Sequence, residues 1–108
     1  LLCEVNTVED KGGVTFAGVN AGLNLQNLWA YYQTPFVVAP LALRDGSDCA
    51  RYTVTGNINE AIDVLAEDVV LPRLHEGDLV ALLNAGGYGS ASASNHCMRG
   101  SFTEHLLD

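Results

Sequence analysis

Turn signals recur along this chain at intervals that leave no room for long helices. Asp10-Lys11-Gly12-Gly13, Asp45-Gly46-Ser47-Asp48, Glu76-Gly77-Asp78 and Ala85-Gly86-Gly87 each read as a loop or bend. Between them lie short runs rich in β-branched and aromatic residues. Leu1 to Val8 and Val14 to Val19, on either side of the first turn, predict a β-hairpin. Further strands are expected at Phe36–Leu41, with Pro40 placing it at an edge or bulge, at Arg51–Gly56 and at Leu79–Leu83. Leu25, Leu28, Trp29 and Tyr32 fall at helical spacing, so a short helix or 3₁₀ turns are expected within 23–32, ended by Pro35. Val69–Leu74 fits either an extended segment or a turn of helix, Ala85–Ser90 reads as a glycine-rich bend, and Glu104–Leu107 reads as a strand. The pattern predicts a mainly β fold, a small Greek-key-like β-barrel or sandwich with one or two short helices.

Composition narrows the function classes. At 108 residues the chain is one small domain, 48% apolar, with 11 glycines against 3 prolines. Its formal charge of -8 and its five scattered basic residues leave no stripe to neutralise phosphates, which argues against nucleic acid. No run approaches the ~18 apolar residues of a membrane span. Leu1-Leu2-Cys3-Glu4 lacks the basic and long apolar stretches of a signal peptide. Cys3, Cys49 and Cys97 are odd in number and widely spaced, so no disulfide framework is expected, and a reduced, cytoplasmic setting follows. With Met98 as the only methionine and an apparent strand at either end, the chain reads as a piece of a longer protein.

Five segments carry a more specific signal. In order they are Val19-Asn20-Ala21-Gly22-Leu23-Asn24; Gly56 with Asn59-Glu60 and Asp63-Val64-Leu65; Leu71-Pro72-Arg73-Leu74-His75-Glu76-Gly77-Asp78; Gly86-Gly87-Tyr88; and Ser94-Asn95-His96-Cys97-Met98-Arg99. Their order and spacing resemble the C-terminal signatures of the pyridoxal-phosphate-dependent diaminopimelate, ornithine and arginine decarboxylases. The resemblance runs over essentially the whole chain. It implies that residues 1–108 are the C-terminal β-barrel domain of a two-domain enzyme, whose N-terminal (β/α) barrel is absent from this chain. That barrel would hold pyridoxal 5'-phosphate through a Schiff-base lysine. It further implies an amino-acid substrate and a homodimer with the active site at the interface.

The same resemblance assigns individual residues. Tyr88 matches the tyrosine that contacts the cofactor phosphate region; a half-buried tyrosine at a barrel corner is the plainer alternative. Glu60 matches the acid that recognises the distal amino group of a basic substrate, a contact whose loss leaves a charge unpaired. Its alternative is a solvated loop acid. Asp63 matches a recurrent aspartate of that loop, with a structural role set beside substrate binding. His96 stands where the family has an aromatic pocket residue; a packed or hydrogen-bonded histidine is the plainer alternative.

Three departures bear on function. Asn59 occupies the position of a cysteine that aids protonation in the family, and an amide does not titrate near neutral pH. Leu25-Gln26-Asn27-Leu28 stands where the diaminopimelate enzymes carry an arginine for a substrate carboxylate, so a diaminopimelate substrate is not expected. Lys11, the sole lysine, lies in a turn where its amine is solvated and protonated, so the chain by itself is expected to be inactive. Besides a decarboxylase domain, the sequence admits a non-catalytic homologue serving as a regulatory or binding module, favoured by Asn59, and an amino-acid racemase of the same cofactor group. His75, His96, His105 and Cys97 match no zinc-ligand spacing, so no metal site is expected.

Overall fold

Glycine decides where the first hairpin turns. Gly12 and Gly13 both adopt positive φ, +59° and +84°, the backbone of a tight two-residue hairpin connection whose twist suits the flanking strands. In the computed structural model, which describes residues 1–34, 37–42 and 44–108, this turn joins β1 (Leu2–Lys11) to β2 (Val14–Val19). Then come α1 (Leu28–Tyr32), β3 (Val38–Pro40), β4 (Cys49–Thr55), β5 (Val64–Pro72), β6 (Leu79–Leu82) and α2 (Gly86–Ala91). A single 3₁₀ turn, His96–Met98, follows.

The six strands form one sheet in the order β3-β6-β1-β2-β4-β5. All neighbours are antiparallel except β2 and β4, which pair Phe16 with Thr53 and Gly18 with Thr55 in parallel. β3 returns beside β5, so the two ends of the sheet approach each other and a barrel nearly closes. Its interior is filled by alternate residues of the strands. Cys3 and Val5 from β1, Ala17 and Val19 from β2, Tyr52 and Val54 from β4, Leu65 and Leu71 from β5, and Val80 and Leu82 from β6 are all buried. The Tyr52 hydroxyl is not orphaned there, because it accepts the Leu74 backbone N–H at 2.9 Å.

The mainly β architecture with two short helices agrees with the sequence reading, and the short helix expected within 23–32 is present at Leu28–Tyr32, after a turn at 23–25. Four other local expectations are corrected. The third strand is shorter than expected, Val38–Pro40; Pro35 and Phe36 lie outside the described residues. The glycine-rich stretch is helix α2 rather than a bend, and Glu104–Leu107 forms no strand. The fifth strand begins at Val64, well before the extended segment expected at Val69, and a bulge explains why. Glu67 and Asp68 together stand opposite Thr53, and Asp68 adopts φ +58°, which interrupts the alternation that marks a strand.

Candidate functional site

The candidate residues are gathered by the loop that follows β2. Residues 20–27 carry no strand, and their polar groups reach two other segments. The first is loop 56–63, between β4 and β5. The Asn57 N–H donates to the Ala21 carbonyl at 3.0 Å. Asp63, only 4% exposed, accepts the Leu23 N–H at 2.7 Å on one carboxylate oxygen and the Ile58 N–H at 2.6 Å on the other. Gly56 is required here, since a Cβ at that position would lie 2.4 Å from both Asp63 oxygens. Burial pushes the Asp63 carboxyl above the usual carboxylate range, against the pull of the two N–H groups and of His96.

The second segment runs from α2 to Arg99. Asn24 donates from Nδ2 to the Ser94 carbonyl at 3.0 Å and the Arg99 carbonyl at 2.9 Å, while its own carbonyl accepts the Ser94 N–H at 2.8 Å. The Ser92 hydroxyl donates to Asn27 Oδ1 at 3.3 Å. Gly89 lies over the buried Gln26 amide, where a Cβ would stand 3.4 Å from Gln26 Nε2. The turn beyond is held by the Asn95 side chain, which accepts the Gly100 N–H, and Cys97 and Met98 both adopt left-handed φ near +55 to +59°.

Glu60 and His96 meet across these two segments. Their Oε1 and Nε2 atoms are 3.4 Å apart, and both side chains are close to half exposed. Asn59, beside Glu60, is exposed. Asp63 lies beneath, its oxygens committed to the backbone. Tyr88 projects from α2, 69% exposed, and its hydroxyl makes no hydrogen bond among the described residues. The structure thus brings Glu60, Asp63 and His96 together and leaves Tyr88 facing solvent on a separate helix.

Sequence reasoning named Gly22, Asn24 and Gly56 within its motifs but gave them no role, although they hold these segments in place: Asn24 by its hydrogen bonds, and Gly22 and Gly56 by leaving room for Ile58 and Asp63. A cavity of about 310 Å³ opens elsewhere, between the α2 glycines, Leu25 and Phe102–His105, and no predicted site residue lines it. Among the described residues no three His, Cys, Asp or Glu side chains gather as a metal site, and no helix is long and apolar enough to cross a membrane.

The covalent hold expected of a pyridoxal cofactor is a desolvated amine. Lys11 is not one: its ammonium sits 2.8 Å from Glu9, 70% exposed, and that hydrogen bond raises its pKa. Cys3 is equally unreactive, since burial pushes its thiol up to about 11. Tyr88 offers its phenol hydroxyl to solvent from a glycine-rich helix, a group able to donate or accept a hydrogen bond.

Comparison with known proteins places the fold in a family. Residues 1–86 match the family described as pyridoxal-dependent decarboxylase, C-terminal sheet domain. The diaminopimelate decarboxylase of Archaeoglobus fulgidus is 38% identical over 107 residues, 99% of this chain and 25% of the relative. That of Pseudomonas aeruginosa is 38% identical over 108 residues, 100% of this chain and 26% of the relative. A crystal structure of diaminopimelate decarboxylase from Helicobacter pylori complexed with L-lysine superposes with a TM-score of 0.83 at 26% identity, covering 92% of this chain and 24% of that one. The chain spans about a quarter of the length of these relatives. With four-fifths of its residues inside the match and a sheet of the same shape, the chain belongs to the family of C-terminal sheet domains of pyridoxal-dependent decarboxylases.

Proposed function

We propose that this chain works as the C-terminal domain of a two-domain, pyridoxal-phosphate-dependent decarboxylase and recognises the side-chain end of an amino-acid substrate. The observation that carries the reading is the Glu60 carboxylate, held accessible on a loop that Asp63 fastens to the barrel from below. An anchored carboxylate loses little freedom when it takes a charged donor, so a substrate ammonium is its natural complement. Tyr88 contributes a hydroxyl to the cofactor's phosphate end. The cofactor, held by the N-terminal barrel, supplies an electron sink for the carbanion left by loss of carbon dioxide. Homodimerisation places Tyr88 and the Glu60 loop against the partner's barrel, in a cytoplasmic enzyme.

The substrate is an amino acid with one distal ammonium rather than diaminopimelate. α1 carries no basic residue, and Leu28 stands half-buried on it, so no cation is offered there for a second carboxylate. The relatives named above are diaminopimelate decarboxylases, which makes that compound the decisive competitor. Carbon dioxide release by the full-length protein from L-ornithine, L-lysine, L-arginine and meso-diaminopimelate tests the reading. A Glu60→Gln variant should raise KM about 10²-fold for the preferred substrate, the cost of one desolvated ion pair. Preferred turnover of diaminopimelate would overturn the substrate assignment, and an unchanged KM would overturn the role of Glu60.

The second reading, a non-catalytic homologue, is favoured by Asn59, whose amide cannot deliver the proton that a thiol could. Absence of carbon dioxide release from every one of these compounds by a cofactor-loaded protein would select it.

A further inference from the structure

Glu60 and His96 stand closer than two unrelated surface side chains, yet farther apart than a tight ion pair. Nε2 and Oε1 are separated by 3.4 Å, and each side chain belongs to a segment independently fastened to loop 20–27. The scaffold therefore holds the two backbones that carry these side chains near each other, through Asp63 on one side and Asn24 on the other. A neutral imidazole faces Glu60 with Nε2 either as an N–H that donates to the carboxylate or, in the other tautomer, as a lone pair; in the second case the two acceptors together invite a donor. An ammonium group has three N–H donors and a positive charge, and can serve both at once. A proton on the imidazole answers the same need without a ligand, because the imidazolium then pairs with Glu60 directly.

We propose that Glu60 and His96 form a site for one cation at a time, either the distal ammonium of the substrate or the proton that makes His96 an imidazolium. Protonation of His96 expels the substrate's charged end, and binding of the ammonium expels the proton. This rests on the reading of Glu60 as the side-chain recognition residue and adds His96 as a specificity-determining partner. The ionisable groups of loop 56–63 near His96 are Glu60 and Asp63. Loop 20–27, which fastens both segments, offers only the amides of Asn20, Asn24, Gln26 and Asn27, and Cys97 and Arg99 follow His96 on its own segment. The cationic competitor within the pair is thus the imidazolium itself.

L-Lysine is the probe, since its ε-ammonium keeps its charge throughout the pH range of interest. Its dissociation constant is measured by calorimetry on the full-length, cofactor-bound protein at pH 7.5 and 5.5, for wild type, His96→Phe, His96→Gln and Glu60→Gln. Histidine side chains change charge between about pH 5 and 8. Wild-type affinity is therefore expected to fall roughly tenfold more between these pH values than that of either His96 variant. His96→Gln should bind better than His96→Phe at pH 7.5, because its amide oxygen still accepts from the ammonium. Glu60→Gln should bind weakly at both. If the His96 variants lose affinity with acid as wild type does while Glu60→Gln is weak, the exclusive site is refuted and the role of Glu60 stands. If Glu60→Gln binds L-lysine like wild type at pH 7.5, both fall together.

Discussion

At the scale of single residues, the most consequential group in this domain is a carboxylate that meets no solvent. Asp63 satisfies two buried N–H groups, and Asp63→Ala would strip both Leu23 and Ile58 of their acceptor. At about 1–3 kcal/mol for each stranded donor, the loss should be about 2–6 kcal/mol in urea unfolding. Gly56→Ala should also destabilise, because its methyl group would collide with the Asp63 oxygens. In an Asp63→Ala background that collision disappears, so a double-mutant cycle should show strong coupling between the two positions. Additive costs would mean that Gly56 serves some other need. The acid has a price in pH terms: its carboxyl titrates above the ordinary value when folded, so ionised Asp63 weighs against the fold at neutral pH. Lowering the pH through that raised value relieves the penalty. The importance of position 63 could be suspected from the sequence only through resemblance, since nothing in Ala61-Ile62-Asp63-Val64 marks a buried acid. Resemblance put Glu60 and His96 at one pocket, but their direct approach was not legible, because it joins residues 36 positions apart through loops whose course only the whole fold determines.

At the scale of elements, strand reading worked where alternation survived and failed where it was broken. β4 keeps its period and was found close to its observed limits; β2, buried along its whole second half, was found as closely because the Gly12-Gly13 turn marks its start. β5 hides behind the bulge at Asp68, and α2 hides behind glycines that sequence reasoning assigns to turns. At Gly89 helix α2 lies against Gln26 and Leu25, where a Cβ would just reach van der Waals contact. The turn before β6 depends on charge as well as on Gly77. Arg44 grips both carboxylate oxygens of Asp78, which also accepts the His75 N–H at 2.7 Å. Chiefly through that guanidinium, the Asp78 carboxyl is held down to about 2. A depressed carboxylate stabilises the fold above its unfolded pKa near 3.8, and the contribution disappears as the pH falls towards 2. Unfolding midpoints followed from pH 5 to pH 2 should therefore drop less steeply in Arg44→Gln than in wild type. Equal slopes would show that this grip carries no net stability.

On the scale of the whole molecule, a barrel was foreseeable from the spacing of turns, but its closure was not. The sheet order depends on β6 inserting between β3 and β1, a pairing that no local pattern encodes. Several large apolar side chains remain outside, among them Tyr31, Tyr32, Ile62, Tyr88 and Met98, each at least half exposed. The 108-residue chain alone should therefore self-associate, and a clean monomer in sedimentation at high concentration would count against this. It should also take up no pyridoxal phosphate covalently. A stable, borohydride-reducible adduct at Lys11 would sink that expectation, since the amine is protonated and paired with Glu9.

The position of β1 between β2 and β6 also has a consequence for how the domain is made. A nascent chain can form the first hairpin as soon as it emerges, but β1 stays half-paired until Leu79–Leu82 has been synthesised. Closing that gap joins segments more than seventy residues apart, and such long-range pairing slows folding to roughly milliseconds to seconds. Trp29, the only tryptophan, makes the event observable by stopped-flow fluorescence. On a ribosome stalled so that, of this domain, only residues 1–78 are exposed, the domain should stay protease-sensitive, and acquire resistance only once β6 has cleared the exit tunnel.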